Sequence, residues 1–85
     1  MTRAEIQDKV TQALVSVAPE LSTVSIAPDV ALREQVDLDS MDFLRFVMEL
    51  HRQFRIEVPE VDYQNLGTLT GVVEYVAARL GRPAA

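Results

Sequence analysis

The stretch Asp37-Leu38-Asp39-Ser40-Met41-Asp42-Phe43-Leu44 gathers the residues of this chain best suited to chemistry. Its one hydroxyl, on Ser40, stands among three carboxylates. Asp39 has the side chain of a good helix N-cap, and Asp42 sits in the first turn, where the helix dipole favours a negative charge. That much describes a capped helix start. It also describes a place to attach something. A first-turn serine at the end of a long loop exposes its side chain, and a phosphate ester there meets free N–H groups and the positive end of the dipole, worth about 0.3–1 kcal/mol when exposed. The adjacent carboxylates oppose a free anion, so a phosphate at Ser40 is better held covalently.

Other chemistry is sparse. His51 is the one histidine and sits mid-helix, so a hydrolase or lyase built on Ser40 would depend on it as base. There is no HExxH, P-loop or GxGxxG pattern. Asp37, Asp39 and Asp42 lack the EF-hand spacing, and no metal site is expected. With no cysteine, the chain has no disulfide, zinc–thiolate site or thiol nucleophile of its own. Any thioester chemistry would take its sulfur from a cofactor.

Eighty-five residues make one domain, 1–85, with an ordered core of about 3–80. A chain this short buries only about 60% of its unfolded surface, too little for an enclosed enzyme pocket to form easily. It is 48% hydrophobic and 25% charged, as a folded soluble domain is, with a net charge of −5. That sign disfavours nucleic acid and suits a basic protein partner. Seven acids and three arginines between Asp37 and Asp62 hold −4 of the −5. The N-terminal residues form no apolar signal region, and no run of about 18 apolar residues predicts a membrane span, so a cytoplasmic location is expected.

The elements that position Ser40 can be read from periodicity and punctuation. Thr2 with Glu5 reads as a capping box, and Ile6, Val10, Ala13, Leu14 and Val17 share one helical face until Pro19. From Pro19 to Leu38 no period survives, which predicts a long loop pinned by Leu21, Val24, Ile26, Val30, Leu32 and Val36. Val24 and Ile26 alternate like a strand that lacks a partner. The second main helix opens at Asp39 or Ser40 and runs to about Phe54. Met41, Phe43, Leu44, Phe46, Val47, Met48, Leu50 and Phe54 cover a wide arc of it, predicting a central helix with contacts on several sides. Pro59 opens a short helical turn to about Tyr63, and Thr68 or Thr70 caps a last helix with the stripe Leu69, Val72, Val73, Val76, Ala77 and Leu80, closed by Gly81 and Pro83. The expected class is all-α: a four-helix bundle of three main helices and a short one, with a long loop between helices 1 and 2.

This arrangement resembles the acyl carrier protein family, the phosphopantetheine-binding carrier domains. The resemblance rests on Asp39-Ser40-Met41-Asp42 at a helix start, Val47-Met48-Glu49-Leu50 and Phe54 along it, then Ile56, Pro59 and the helix from Thr68 to Leu80. Leu32 and Val36 stand eight and four residues before the serine, where the family places apolar loop anchors. The match spans roughly residues 3–80. The Asp-Ser-Met core is weak by itself and specific with these flanks.

The resemblance implies that Ser40 accepts 4′-phosphopantetheine from coenzyme A through a phosphopantetheinyl transferase (holo-synthase). Asp39 would help that enzyme place its magnesium ion, and Met41 would be the apolar residue that partners grip. The arm would carry an acyl group as a thioester to acyl-loading and acyl-transferring enzymes, with no catalysis by the carrier itself and no need to oligomerise. Asp42, Arg45, Glu49, Glu57 and Glu60 would face those partners, and Phe46, Leu50, Ile56, Val61, Leu66 and Leu69 would line an acyl cleft. Two departures bear on pathway. Asp37 stands where the family usually has glycine, and Arg45, His51 and Arg52 replace expected acids, which points away from the general carrier of primary fatty acid synthesis and toward a specialised carrier for one lipid, polyketide or amino-acid pathway. The Gly-Gly-(His/Asp)-Ser sequence usual in peptidyl carriers is missing, which favours acyl over aminoacyl cargo. The rival readings are an aminoacyl or peptidyl carrier, and an unmodified helical interaction module that binds partners through its Asp39–Glu60 surface.

Overall fold

The computed structural model describes residues 1–23 and 25–81. Helix α1, Arg3–Val17, begins with the capping box read from the sequence. Thr2 Oγ1 accepts from the Glu5 N–H at 3.1 Å, and Glu5 Oε1 accepts from the Thr2 N–H at 3.0 Å. Hydrogen bonding from Thr2 holds the Glu5 carboxyl below the ordinary carboxylate value. Ile6, Val10, Ala13 and Leu14 are buried, as their spacing predicts. Pro19 disfavours helical backbone at Ala18, and the helix stops there.

The segment after α1 is more ordered than the expected loop. A 3₁₀ helix, η1, spans Pro19–Thr23, and a one-turn helix, α2, spans Leu32–Gln35. Leu21, Leu32, Val36 and Leu38 are buried anchors, and Ile26 is half-buried. Val30 is exposed instead of anchoring, because it lies on a turn at the surface. The Val24 half of the expected strand lies outside the described residues, and no strand occurs among those described. Three tethers hold the segment, the first running from the Thr70 N–H to the Pro28 carbonyl at 3.0 Å. The Leu32 N–H donates to the Gly67 carbonyl at 2.8 Å. Gln35 grips Ala27 from both sides, accepting from its N–H at 2.6 Å and donating to its carbonyl at 2.8 Å, and also donates to the Val30 carbonyl at 2.9 Å.

Helix α3, Ser40–Phe54, starts where Asp39 Oδ1 accepts from the Asp42 N–H at 2.8 Å. It ends on Arg55, which takes the left-handed conformation at φ 55°, unusual without glycine. The exposed His51 ring shares a 2.8 Å hydrogen bond with the Ile56 carbonyl and so braces this end. Only one stripe of α3 is buried: Phe46, Val47, Leu50 and Phe54. Met41, Leu44 and Met48 are exposed at 63%, 43% and 69%. The expected contacts are therefore confined to two sides, the buried stripe against α1 and Phe43 against Tyr63 of the segment that follows, and the remaining face is open. The helix packed against both other main helices is α1, which meets α3 and α4.

A second 3₁₀ helix, η2, spans Glu60–Leu66 with Pro59 at its start, three residues longer than expected. Helix α4, Leu69–Leu80, is capped by Thr68, whose Oγ1 accepts from the Gly71 N–H at 2.9 Å. It buries Leu69, Val72, Val73 and Val76 and stops at Gly81; Pro83 lies outside the described residues. Asp62 clasps η2 to α4: its Oδ2 accepts from the Tyr75 hydroxyl at 2.7 Å and from Arg79 at 2.9 Å. Arg79 also donates to the Tyr75 hydroxyl and lies 5.1 Å from the centre of its ring. The chain is thus the expected all-α bundle of three main helices, with more short helical pieces between them.

Candidate functional site

Ser40 is the first residue of α3 and is exposed. Two neighbours set its position. Asp39 turns the chain into the helix by taking the Asp42 N–H, which leaves the Ser40 and Met41 N–H groups free of intrahelical partners. Leu38 is 8% exposed and ties the preceding loop to the core. Asp37 between these loop residues stands in no glycine-only conformation. The Leu38 N–H donates to the Val36 carbonyl at 2.9 Å around it, a three-residue turn, and Arg55 is the one non-glycine residue with positive φ among the described residues. The departure from glycine therefore costs no left-handed strain.

A cleft of about 560 Å³ opens beside Ser40, walled by α2, the start of α3 and η2. Its apolar lining includes Leu38, Phe43, Leu44, Tyr63 and Leu66, and its charged lining is Arg33 and Glu60. Phe43 and Tyr63 meet edge to face, with ring centres 5.4 Å apart. Of the six residues expected to line an acyl cleft, Leu66 alone does so. Phe46, Leu50, Ile56 and Leu69 are buried in the core with Leu66 but do not reach this cleft. Val61 is 78% exposed and faces away, because the 3₁₀ helix η2 turns Leu66 inward and Val61 outward.

The lining that sequence reasoning missed had a signal. Phe43 comes three residues after Ser40, so it shares Ser40's side of α3, whereas Phe46 and Leu50 belong to the stripe facing α1. Tyr63 and Arg33 carried no such signal, since they reach the cleft only through tertiary packing.

The charged residues expected to face partners are not equivalent. Asp42 is half-buried, and Arg45, Glu57 and Glu60 are exposed. Glu49 is engaged within the helix: Arg52 reaches it with donors at 2.8 and 3.3 Å, and this pairing holds the Glu49 carboxyl below its ordinary value. Arg45 has no ion-pair partner among the described residues. The middle of the exposed face of α3 is therefore apolar with one unpaired cation.

Ser40 is thus an exposed serine on a first helical turn, next to a largely apolar cleft, and no metal-ligand cluster occurs among the described residues. The family model described as "Phosphopantetheine attachment site" matches residues 8–76, most of the chain. The chain belongs to the acyl carrier protein family. The acyl carrier proteins of Chlorobium phaeovibrioides and Chlorobium luteolum are each 30% identical to it over 79 residues, covering 93% of this chain and 100% of the relative. That of Chlorobium phaeobacteroides is 27% identical over the same length and shares. As a member of this family, the chain is a carrier and not an enzyme, and the group its domain holds covalently is 4′-phosphopantetheine. The residues around Ser40 fit that group: a free hydroxyl, two open N–H groups for a phosphate, and a cleft for the rest of the arm. No helix among the described residues is long and apolar enough to cross a membrane.

Proposed function

We propose that Ser40 is the attachment point of 4′-phosphopantetheine, and that the chain presents acyl groups to the enzymes of a specialised fatty acid, polyketide or lipid pathway in the cytoplasm. The observation that carries this reading is the exposed hydroxyl of Ser40 at the mouth of α3, beside the apolar cleft. When bound, the group supplies the thiol that this cysteine-free chain lacks. The chain's own residues do the rest. Ser40 Oγ would give up its proton and bond the pantetheine-side phosphorus of coenzyme A, while the pyrophosphate P–O bond breaks and adenosine 3′,5′-bisphosphate leaves. Asp39 keeps one carboxylate oxygen in the cap and has the other free for the transferase's magnesium ion. Met41, Leu44 and Met48 offer transferase and acyl-handling enzymes an apolar patch next to the serine. Phe43, Tyr63 and Leu66 line the cleft that receives the part of the arm next to Ser40. Tethering raises the local concentration of cargo at each partner without any new contact.

Charge argues for the specialised pathway. Glu49 is neutralised by Arg52 and Arg45 is unpaired, so an enzyme whose docking surface is uniformly basic meets repulsion at Arg45. Coexpression with a broad-specificity phosphopantetheinyl transferase should add one phosphopantetheine mass to the wild type and none to Ser40→Ala, with Asp39→Ala modified more slowly. A wild type that keeps its bare polypeptide mass refutes the reading. An unmodified interaction module would be recognised by a partner that binds Ser40→Ala as well as the wild type.

A further inference from the structure

The cleft beside Ser40 carries one cation, Arg33, whose role neither the fold nor the serine explains. Its backbone is fixed from behind. Leu32 is 3% exposed and donates to the Gly67 carbonyl, and Gln35 ties the same turn to Ala27 and Val30. The guanidinium itself makes no hydrogen bond or ion pair among the described residues. A fixed turn therefore presents an unspent cation to the wall that Ser40 shares.

The surroundings give that cation something to do. Asp37 and Asp39 are exposed and Asp42 half-buried, all within three residues of Ser40, and Glu60 stands on the far wall of the cleft. A phosphodiester on Ser40 Oγ bears one negative charge and is repelled by each of these carboxylates. The Asp42 N–H, one natural donor to an anion at this helix start, is already taken by Asp39. A guanidinium matches the spacing and charge of phosphate oxygens better than an ammonium does. We infer that Arg33 receives the phosphodiester of the group carried on Ser40, and that this contact directs the arm along the cleft toward Phe43 and Tyr63 instead of out over Met41. Arg33 is a positioning residue here. It touches the arm's phosphate and takes no part in the chemistry at the thiol.

This inference rests on the carrier reading, and its test separates the two. Intact mass first establishes whether wild type, Arg33→Gln and Arg33→Lys each carry the arm, with its thiol free. On conversion of the wild type from apo to holo, the Arg33 Nε–H resonance should move, and the effect should shrink as salt is raised. The phosphorus resonance of the holo protein should differ in Arg33→Gln, with Arg33→Lys between the two. The ratio of docked to free arm should fall roughly two- to five-fold in Arg33→Gln, the range for an exposed ion pair. If all three proteins carry the arm, yet the phosphorus resonance is common to them and the Arg33 Nε–H does not move, the inference is wrong while the carrier reading stands. A response seen only after loading a carboxylate-ended acyl group also overturns it, since Arg33 would then serve cargo and not the arm. If no mass is added, both fall together.

Discussion

Gln35 and Ala27 hold one another through a closed pair of hydrogen bonds, N–H to Oε1 at 2.6 Å and Nε2 to carbonyl oxygen at 2.8 Å. With its further bond to Val30, one side chain performs the closure that a β-ladder would otherwise supply, and it sets α2 against the cleft. Gln35→Ala should lower stability by about 1–2 kcal/mol, less than three bonds in the core would contribute, because these three are exposed and water can replace them. Urea unfolding measures this. Amide exchange should quicken in residues 25–31 before it quickens in α1.

At the other end of the site, Arg55 closes α3 in the left-handed region without being glycine. Arg55→Gly should raise stability by roughly 0.5–1 kcal/mol, read as a higher urea midpoint at unchanged slope. A lower midpoint would show that the Arg55 side chain makes a contribution larger than its backbone cost.

Burial separates two apolar residues on the same helix. Met41 is 63% exposed and Phe46 is 0% exposed. Met41→Ser should leave stability within about 0.5 kcal/mol yet reduce kcat/KM for modification by the transferase. Phe46→Ala should cost about 3–5 kcal/mol in the same unfolding assay.

Stability should fall at both ends of the pH scale, through one group on α1 and one on α4. Hydrogen bonds from Thr2 hold the Glu5 carboxyl below the ordinary value of 4.5. A carboxyl lowered by folding stabilises the protein above its unfolded value, and that contribution is lost as pH falls from 4.5 through the folded value. Glu5→Gln keeps the capping oxygen but does not titrate, so its urea midpoint should drop less between about pH 5 and pH 3. Burial, reinforced by the bond to Asp62, raises the Tyr75 phenol above 10.0. A phenol raised by folding leaves stability intact below pH 10.0 and erodes it as pH climbs through the folded value. Tyr75→Phe should flatten that alkaline decline.

Much of this fold is legible in the residues themselves. Thr2 and Glu5 announce α1 because a capping box uses only local atoms. Asp39 announces α3, and with it the placement of Ser40, for the same reason. Legibility ends where geometry depends on distant residues. Nothing in the spacing of Gln35 and Ala27 says that they meet, so α2 passes for loop. The apolar arc of α3 looks uniformly buried because sequence cannot show that only α1 and Tyr63 of η2 are there to cover it. The family resemblance, added to their apolarity, points to Phe46, Leu50, Ile56 and Leu69 as cleft residues, and the structure buries them in the core. Val61 is apolar too, and a tight helical turn directs it to solvent.

The central claim concerns one oxygen atom, and fragment-ion mass spectrometry of the holo protein tests it most directly. After coexpression with a phosphopantetheinyl transferase, the added mass should map to Ser40. The chain's other serines, Ser16, Ser22 and Ser25, should remain bare. An added mass located on any of those three, or absent from the Ser40 fragment, would contradict the account.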